Sequence, residues 1–143
     1  EIIDYLEITP PFLMIDYVER LIPGKSCYAI KKLKKEDWFF KCHLEKEQIM
    51  PGVLQIEAML QTLVLVIYSI KGHKGKLSYV TDISTKLLSS VSPDCQLDIY
   101  AVLLSYKRGI ASGEVKIMIG KKNICHGEFK LISPHDMPLP KLN

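Results

Sequence analysis

Between residues 53 and 70 the chain is apolar on nearly every side of a helical projection, and this run constrains the fold more than any other feature. It reads as one long helix opened by Pro51, whose ring presets a φ suited to a first turn, and by Gly52, which admits a close neighbour. The polar interruptions are Gln55, Glu57, Gln61 and Thr62. A helix that is apolar all round must be wrapped, by lipid or by protein. The lipid solution fails, because a span needs roughly 20 apolar residues and a carboxylate such as Glu57 is costly in hydrocarbon. No membrane span is expected, so the wrapping must be protein.

The rest of the sequence supplies it. Leu77 to Asp82, Thr85 to Ser90, Gln96 to Tyr106, Ile110 to Ile119 and Ile124 to Ile132 read as strands separated by turn residues. Long consecutive strands with short turns make an antiparallel sheet, and the helix fills it, giving an α+β architecture. Upstream, Ile2 to Ile8 has the spacing of a short helix ending before Thr9-Pro10-Pro11. Phe12 to Arg20 reads as extended chain leading to a turn at Pro23-Gly24, and Ser26 to Leu33 as a strand. Trp38 to His43 reads as a strand end followed by a polar loop. Asp16, a carboxylate in an apolar stretch, is expected to bond backbone amides or Arg20 rather than to act as an acid.

With 143 residues, 48% of them hydrophobic, the chain has mass for one sizeable core. A single domain over 1–132 is expected, with a Pro-rich tail over 133–143 that is extended or disordered. Glu1 is not an initiator, so a few residues are expected to precede it; no secretory pattern is visible, and a cytoplasmic location is expected. The net charge of +3, without aromatic residues among the lysines, argues against nucleic acid. Lys31 to Lys35 reads as a solvated strand edge.

Cys27, Cys42, Cys95 and Cys125 are widely separated, which suits free thiols in a reducing compartment. Cys42-His43 and Cys125-His126 are adjacent pairs, and neighbours on a strand point to opposite faces, so no zinc site or thiolate nucleophile is expected there. His73 is expected in solvent, His126 at the surface or core edge, and His135 in the tail. Glu57 and Gln61 are four apart and share a helix face, where the Gln61 amide is able to orient the carboxyl group.

Phe39-Phe40-Lys41-Cys42-His43, followed by Ile49-Met50-Pro51-Gly52-Val53-Leu54-Gln55-Ile56-Glu57-Ala58-Met59-Leu60-Gln61, resembles the active-site segment of the 3-hydroxyacyl-[acyl-carrier-protein] dehydratases. Pro11-Phe12-Leu13-Met14-Ile15-Asp16, Pro23-Gly24-Lys25, Pro93 with Gln96-Leu97, and Lys107-Arg108-Gly109 fall in the order of that family, so the resemblance covers nearly the whole chain. Departures concentrate in one loop: Cys42-His43-Leu44-Glu45 stands where the family usually has Gly-His-Phe-Pro, and Lys46 and Gln48 replace loop Gly and Pro. Ile8-Thr9-Pro10 replaces the usual His-Arg-Tyr. These changes bear on substrate and partner choice more than on the chemistry.

The resemblance implies a hot-dog fold, a long central helix rolled in a curved antiparallel sheet. It implies reversible dehydration of 3-hydroxyacyl thioesters on acyl carrier protein, in fatty-acid synthesis or a specialised lipid or polyketide route, without a cofactor. A base must take the proton beside the carbonyl while an acid protonates the departing hydroxyl. The resemblance assigns these roles to His43 and Glu57, the oxyanion-binding amide to Gly52, and the positioning of Glu57 to Gln61. It also implies a homodimer whose two chains share each site, commonly as three dimers in a hexamer, and an acidic acyl carrier protein steered by exposed lysines. The alternatives are a hot-dog thioesterase and a non-catalytic acyl-carrier or acyl-chain binding subunit.

Overall fold

The computed structural model describes residues 2–140; the expectations for Glu1 and for residues 141–143 of the tail lie outside the described residues. The elements in order are α1 (Ile2–Leu6), β1 (Tyr17–Ile22), β2 (Ser26–Leu33), α2 (Trp38–Lys41), α3 (Gly52–Tyr68), β3 (Tyr79–Leu87), β4 (Cys95–Lys107), β5 (Ile110–Ile119), β6 (Lys122–Ile132) and a 3-10 turn, Pro134–Asp136. All six strands join one antiparallel sheet in the order β1-β2-β4-β5-β6-β3.

Eleven of the 17 residues of α3 are buried, too many for the single stripe of a surface helix, and the sheet accordingly curls around it. The helix packs on β2, β4, β5 and β6. Leu97, Ile99 and Ala101 on β4, Val115 and Ile117 on β5, and Phe129 and Leu131 on β6 are buried at the two-residue period of a strand face turned toward the helix. Burying each large member of this set contributes about 1.5–3 kcal/mol. Where the helix comes nearest, the strand has no side chain. A Cβ on Gly113 would stand 2.6 Å from Leu63 Cδ1 and 3.0 Å from the Val102 carbonyl oxygen.

This is the α+β hot-dog architecture expected from the resemblance, with four local corrections. Trp38–Lys41 is a helical turn, not a strand end. Phe39 and Phe40 are adjacent and both fully buried, which this helical turn arranges by packing both rings into the core. Leu77 to Asp82 and Thr85 to Ser90 are not two strands: one strand, β3, runs through the polar stretch between them, with an irregularity between Val80 and Asp82. The edge expected at Lys31 and Lys32 is there, since β1 stops opposite Ile30 and β4 alone pairs β2 beyond it, but it is less solvated than expected, the Lys31 side chain being 13% exposed. Both lysines lie where β1 has ended and Asp16 takes over, its Oδ2 accepting from the Lys32 amide at 2.6 Å. Asp16 thus bonds a backbone amide as expected, with Lys31 Nζ in place of Arg20 on its other oxygen.

The fourth correction concerns the tail. The Ser133 amide donates to the Gly109 carbonyl at 2.7 Å, and the Ser78 and Ser133 hydroxyls lie 2.6 Å apart. Residues 133–136 therefore fold back onto the body instead of trailing away. His73, expected in solvent, is half-buried beneath them, 2.7 Å from Asp136.

Gly113→Val is expected to destabilise the fold by about 1–3 kcal/mol, because neither the Leu63 side chain nor the Val102 carbonyl has room to yield fully. Urea unfolding followed by circular dichroism reads this directly. An unchanged midpoint would mean that α3 lifts away from β5 at no cost.

Candidate active site

The loop between α2 and α3 is shaped by backbone more than by side chains. The amides of Glu47 and Gln48 both donate to the Leu44 carbonyl, at 2.8 and 2.9 Å, closing a tight turn, and Leu44 and Gln48 themselves adopt positive φ of 48° and 50°. The Met50 amide then donates to the Val91 carbonyl at 2.9 Å, and its buried side chain roots the loop in the core. His43 hangs within this frame. Its Nδ1 lies 2.9 Å from the Ile49 carbonyl oxygen. A carbonyl oxygen only accepts, so Nδ1 carries the hydrogen and the neutral ring presents a bare lone pair at Nε2.

Pro51 caps α3 with an extended conformation, and hydrogen bonding along the helix begins only where the Leu54 amide donates to the Pro51 carbonyl at 2.9 Å. The Gly52 amide precedes that first bond, at the positive end of the helix dipole. His43 and Gly52 line one open cavity of about 280 Å³ with Met50, Gln55, Leu87 and Ser89. A Cβ at Gly52 would come within 2.5 Å of Leu87 Cδ1, so the missing side chain is what lets the end of β3 close over the start of the helix.

Gln55 is a member of this cavity that sequence reasoning treated only as an interruption of the apolar helix. Three residues after Gly52 it lies on the same helix face. It is 2% exposed, and its Oε1 has no hydrogen-bond partner among the described residues. A buried acceptor left bare costs about 1–3 kcal/mol, so it awaits a donor from solvent or ligand. Its spacing from Gly52 is the only signal in the sequence that could have found it.

Glu57 does not share that cavity. Two residues beyond Gln55, it lies about 200° around the helix, on the opposite side. It lines a second hollow of about 150 Å³ with Leu6, Ile8, Leu60, Val64 and Val80. Burial among these groups raises its carboxyl pKa above the ordinary value, and the Gln61 amide pulls weakly the other way. Gln61 itself is buried and spends its amide on the N-terminal segment: Oε1 accepts from the Met14 amide at 2.7 Å, and Nε2 donates to the Phe12 carbonyl at 3.0 Å. Within one chain, then, the structure brings His43 and Gly52 together and holds Glu57 and Gln61 apart from them.

The cysteines stand outside both cavities. All four are free, and burial pushes the thiols of Cys27 and Cys125 up to about 12, far from a thiolate. Cys125 points into the core while its neighbour His126 is exposed, the alternation a strand imposes. Among the described residues no helix is long and apolar enough to cross a membrane.

A family model described as a FabA-like domain matches residues 8–128. The chain is 32% identical over 133 residues to the 3-hydroxyacyl-[acyl-carrier-protein] dehydratase FabZ of Pediococcus pentosaceus, covering 92% of this chain and 89% of that one. It is 34% identical over 131 residues to the FabZ of Ruminiclostridium cellulolyticum, covering 91% and 92%. Among solved structures, the dehydratase heterocomplex ApeI:P from Xenorhabdus doucetiae superposes with a TM-score of 0.76 at 16% identity, over 93% of this chain and 90% of that chain. A hypothetical thioesterase from Streptococcus pneumoniae, solved with coenzyme A, superposes at 0.64 and 16% identity over 81% and 83%. At such identities the two structures establish a shared fold and nothing finer.

The elevated carboxyl of Glu57 makes a prediction about stability. A folded-state pKa above the unfolded one means that the folded chain binds the proton more tightly; that contribution is present in acid and lost as pH rises through the folded value. Glu57→Gln removes the titration. The variant is expected to gain thermal stability relative to the parent as pH is raised from 4 to 8, and calorimetry at both pH values checks it. A gap that stays constant would show that burial does not perturb this carboxyl.

Proposed function

The chain belongs to the FabA-like family, and from that premise we propose that it catalyses the reversible dehydration of 3-hydroxyacyl thioesters on acyl carrier protein to trans-2-enoyl thioesters. The observation that carries the reading is one cavity in which an imidazole of fixed tautomer faces the amide end of a buried helix. Its relatives named for this activity match over about nine-tenths of their length.

In this reading, His43 Nε2 takes the proton from the carbon beside the thioester carbonyl. The ring is held by the Ile49 carbonyl, which also steadies the imidazolium that forms. Negative charge gathers on the thioester oxygen, where the Gly52 amide and the dipole of α3 offset it. The C–O bond at carbon 3 then breaks, and Glu57, whose apolar surroundings favour the protonated form, delivers a proton so that water departs. Run backward, the same steps hydrate the enoyl thioester. Each transfer is typically worth about two to four orders of magnitude in rate. Gln61 holds Phe12 and Met14 and has an amide beside Glu57, so it fixes the wall from which the acid acts.

Since His43 and Glu57 line separate cavities, a complete site takes two copies of the chain. The edge strand β3 supports this arrangement. It pairs only with β6, and Tyr79, Val80, Ile83 and Leu87 along it, together with the following Leu88, are all 41–55% exposed. Val80 borders the Glu57 hollow at one end of the strand, and Leu87 borders the His43 cavity at the other. Antiparallel pairing of two β3 strands about a two-fold axis brings the Leu87 end of one copy against the Val80 end of the other, so that each His43 meets the partner's acid and the dimer holds two such sites. Further assembly as three dimers belongs to the same proposal. An acidic acyl carrier protein, drawn by exposed lysines, delivers the substrate.

Purified chain mixed with a 2-enoyl or 3-hydroxyacyl thioester is expected to change enoyl absorbance without releasing thiol. His43→Ala and Glu57→Gln are each expected to slow the change by about a hundredfold or more while leaving circular dichroism intact. Mixing the two inactive variants tests the shared site: mixed dimers regain a fraction of the activity if each site draws one residue from each copy. Near-parental turnover in either single variant, or thiol release, overturns the assignment.

A further inference from the structure

A second cluster of proton-binding side chains lies away from both cavities, and nothing in the proposed reaction uses it. His73 comes from the loop between α3 and β3, and His135 and Asp136 from the turn that follows β6. The sequence keeps His73 and Asp136 63 residues apart, and the folded tail brings them together. The Nε2 atoms of His73 and His135 stand 2.7 and 3.4 Å from one oxygen, Asp136 Oδ2. The ligating atoms of all three residues lie within 4.8 Å of one another.

That oxygen is crowded. The Tyr106 hydroxyl also donates to it, at 2.6 Å. A carboxylate oxygen offers two lone-pair directions, which Tyr106 and His73 fill, and His135 Nε2 stands beside them at 3.4 Å. Two ring nitrogens converging on one carboxylate oxygen form a donor set that a single cation can share. We propose that His73, His135 and Asp136 bind a divalent transition-metal ion of the zinc class. The donor set selects this class: two imidazoles with one carboxylate suit zinc, cobalt, nickel or copper, and not magnesium or calcium, which take oxygen ligands.

The spacing fits with little movement. Zinc–ligand bonds of about 2.0–2.2 Å put the corners of a tetrahedron about 3.3–3.6 Å apart; the present separations, 2.7 and 3.4 Å from Asp136 Oδ2 and no more than 4.8 Å between any two ligating atoms, are of that order. The surroundings hold the ligands in place. Ser133, just before His135, is fully buried and bonded to Gly109 and Ser78. The Tyr106 ring stands edge-on to His73, with centroids 5.7 Å apart, and its hydroxyl fixes the carboxylate. Three protein ligands on an accessible surface leave the fourth position to water. Bound metal would join the end of the central helix to the C-terminal turn, so occupancy would govern how firmly the tail is fastened. This inference is independent of the dehydratase reading.

The test uses the whole chain, stripped with a chelator and titrated with Co2+, then challenged with Zn2+. One equivalent of Co2+ is expected to give the intense visible bands of a four-coordinate ion, and Zn2+ to abolish them. At about a hundredfold excess over its Kd, Zn2+ should raise the unfolding temperature by about 5 °C or more. His135→Ala is the informative variant, since its ring is at the surface and its loss leaves the His73–Asp136–Tyr106 contacts standing. It and Asp136→Asn are expected to weaken binding at least tenfold, and His126→Ala to leave it unchanged. Absence of the bands at a tenfold excess of Co2+ overturns the proposal, and so does binding that survives His135→Ala or is lost in His126→Ala.

Discussion

The closeness of α3 to the strands beneath it governs everything else in this molecule. An apolar helix inside a curled sheet leaves little space for strand side chains at the point of nearest approach, and Gly113 with Ala101 and Ala111 meets that demand. A sheet unable to approach so closely would leave the buried face of the helix partly wet, and each large side chain there would forgo about 1.5–3 kcal/mol. At the N-terminus of α3, Gly52 lies beside the Leu87 side chain of β3, whose Cδ1 a Cβ there would meet at 2.5 Å. Close packing thus shapes both the core and the surroundings of the amide on which the proposed reaction depends.

The helix also separates the two proton-carrying groups. Solvation differs on its two sides. His43 borders an open hollow and is steered by a backbone carbonyl, so its orientation survives side-chain motion elsewhere. Glu57 borders an apolar hollow where charge is penalised. A base wants an exposed lone pair and an acid wants a reason to keep its proton, and the two faces of one helix provide these opposite environments without any charged neighbour being needed.

Much of this was legible because it was local. The His43-to-Glu57 spacing, the Pro51-Gly52 start and the apolar run behind it lie within one short segment, and β4, β5 and β6 carry the alternation that marks a half-buried strand. What escaped depended on distant residues. Phe39 and Phe40 read equally well as strand or helical turn until the core they enter is known. The polar middle of β3 resembles a break because that strand lies at a sheet edge and buries little. Gln55 shares its cavity with Leu87 and Ser89, which come from another part of the chain. His73 owes its surroundings to a tail that composition marks as loose, yet whose first residue, Ser133, is fully buried.

Strand β3 has a consequence for the chain while its outer edge stands open. Its nine residues leave one row of amides and carbonyls unpaired beside a row of apolar side chains. Such a border templates any extended peptide that drifts by, its own nascent siblings included. It has few of the guards that solitary sheets carry, for it lacks proline and has one lysine, Lys86, near its far end. In the dimer proposed above, pairing along this border would cover it, so a chain without a partner carries the greater aggregation hazard.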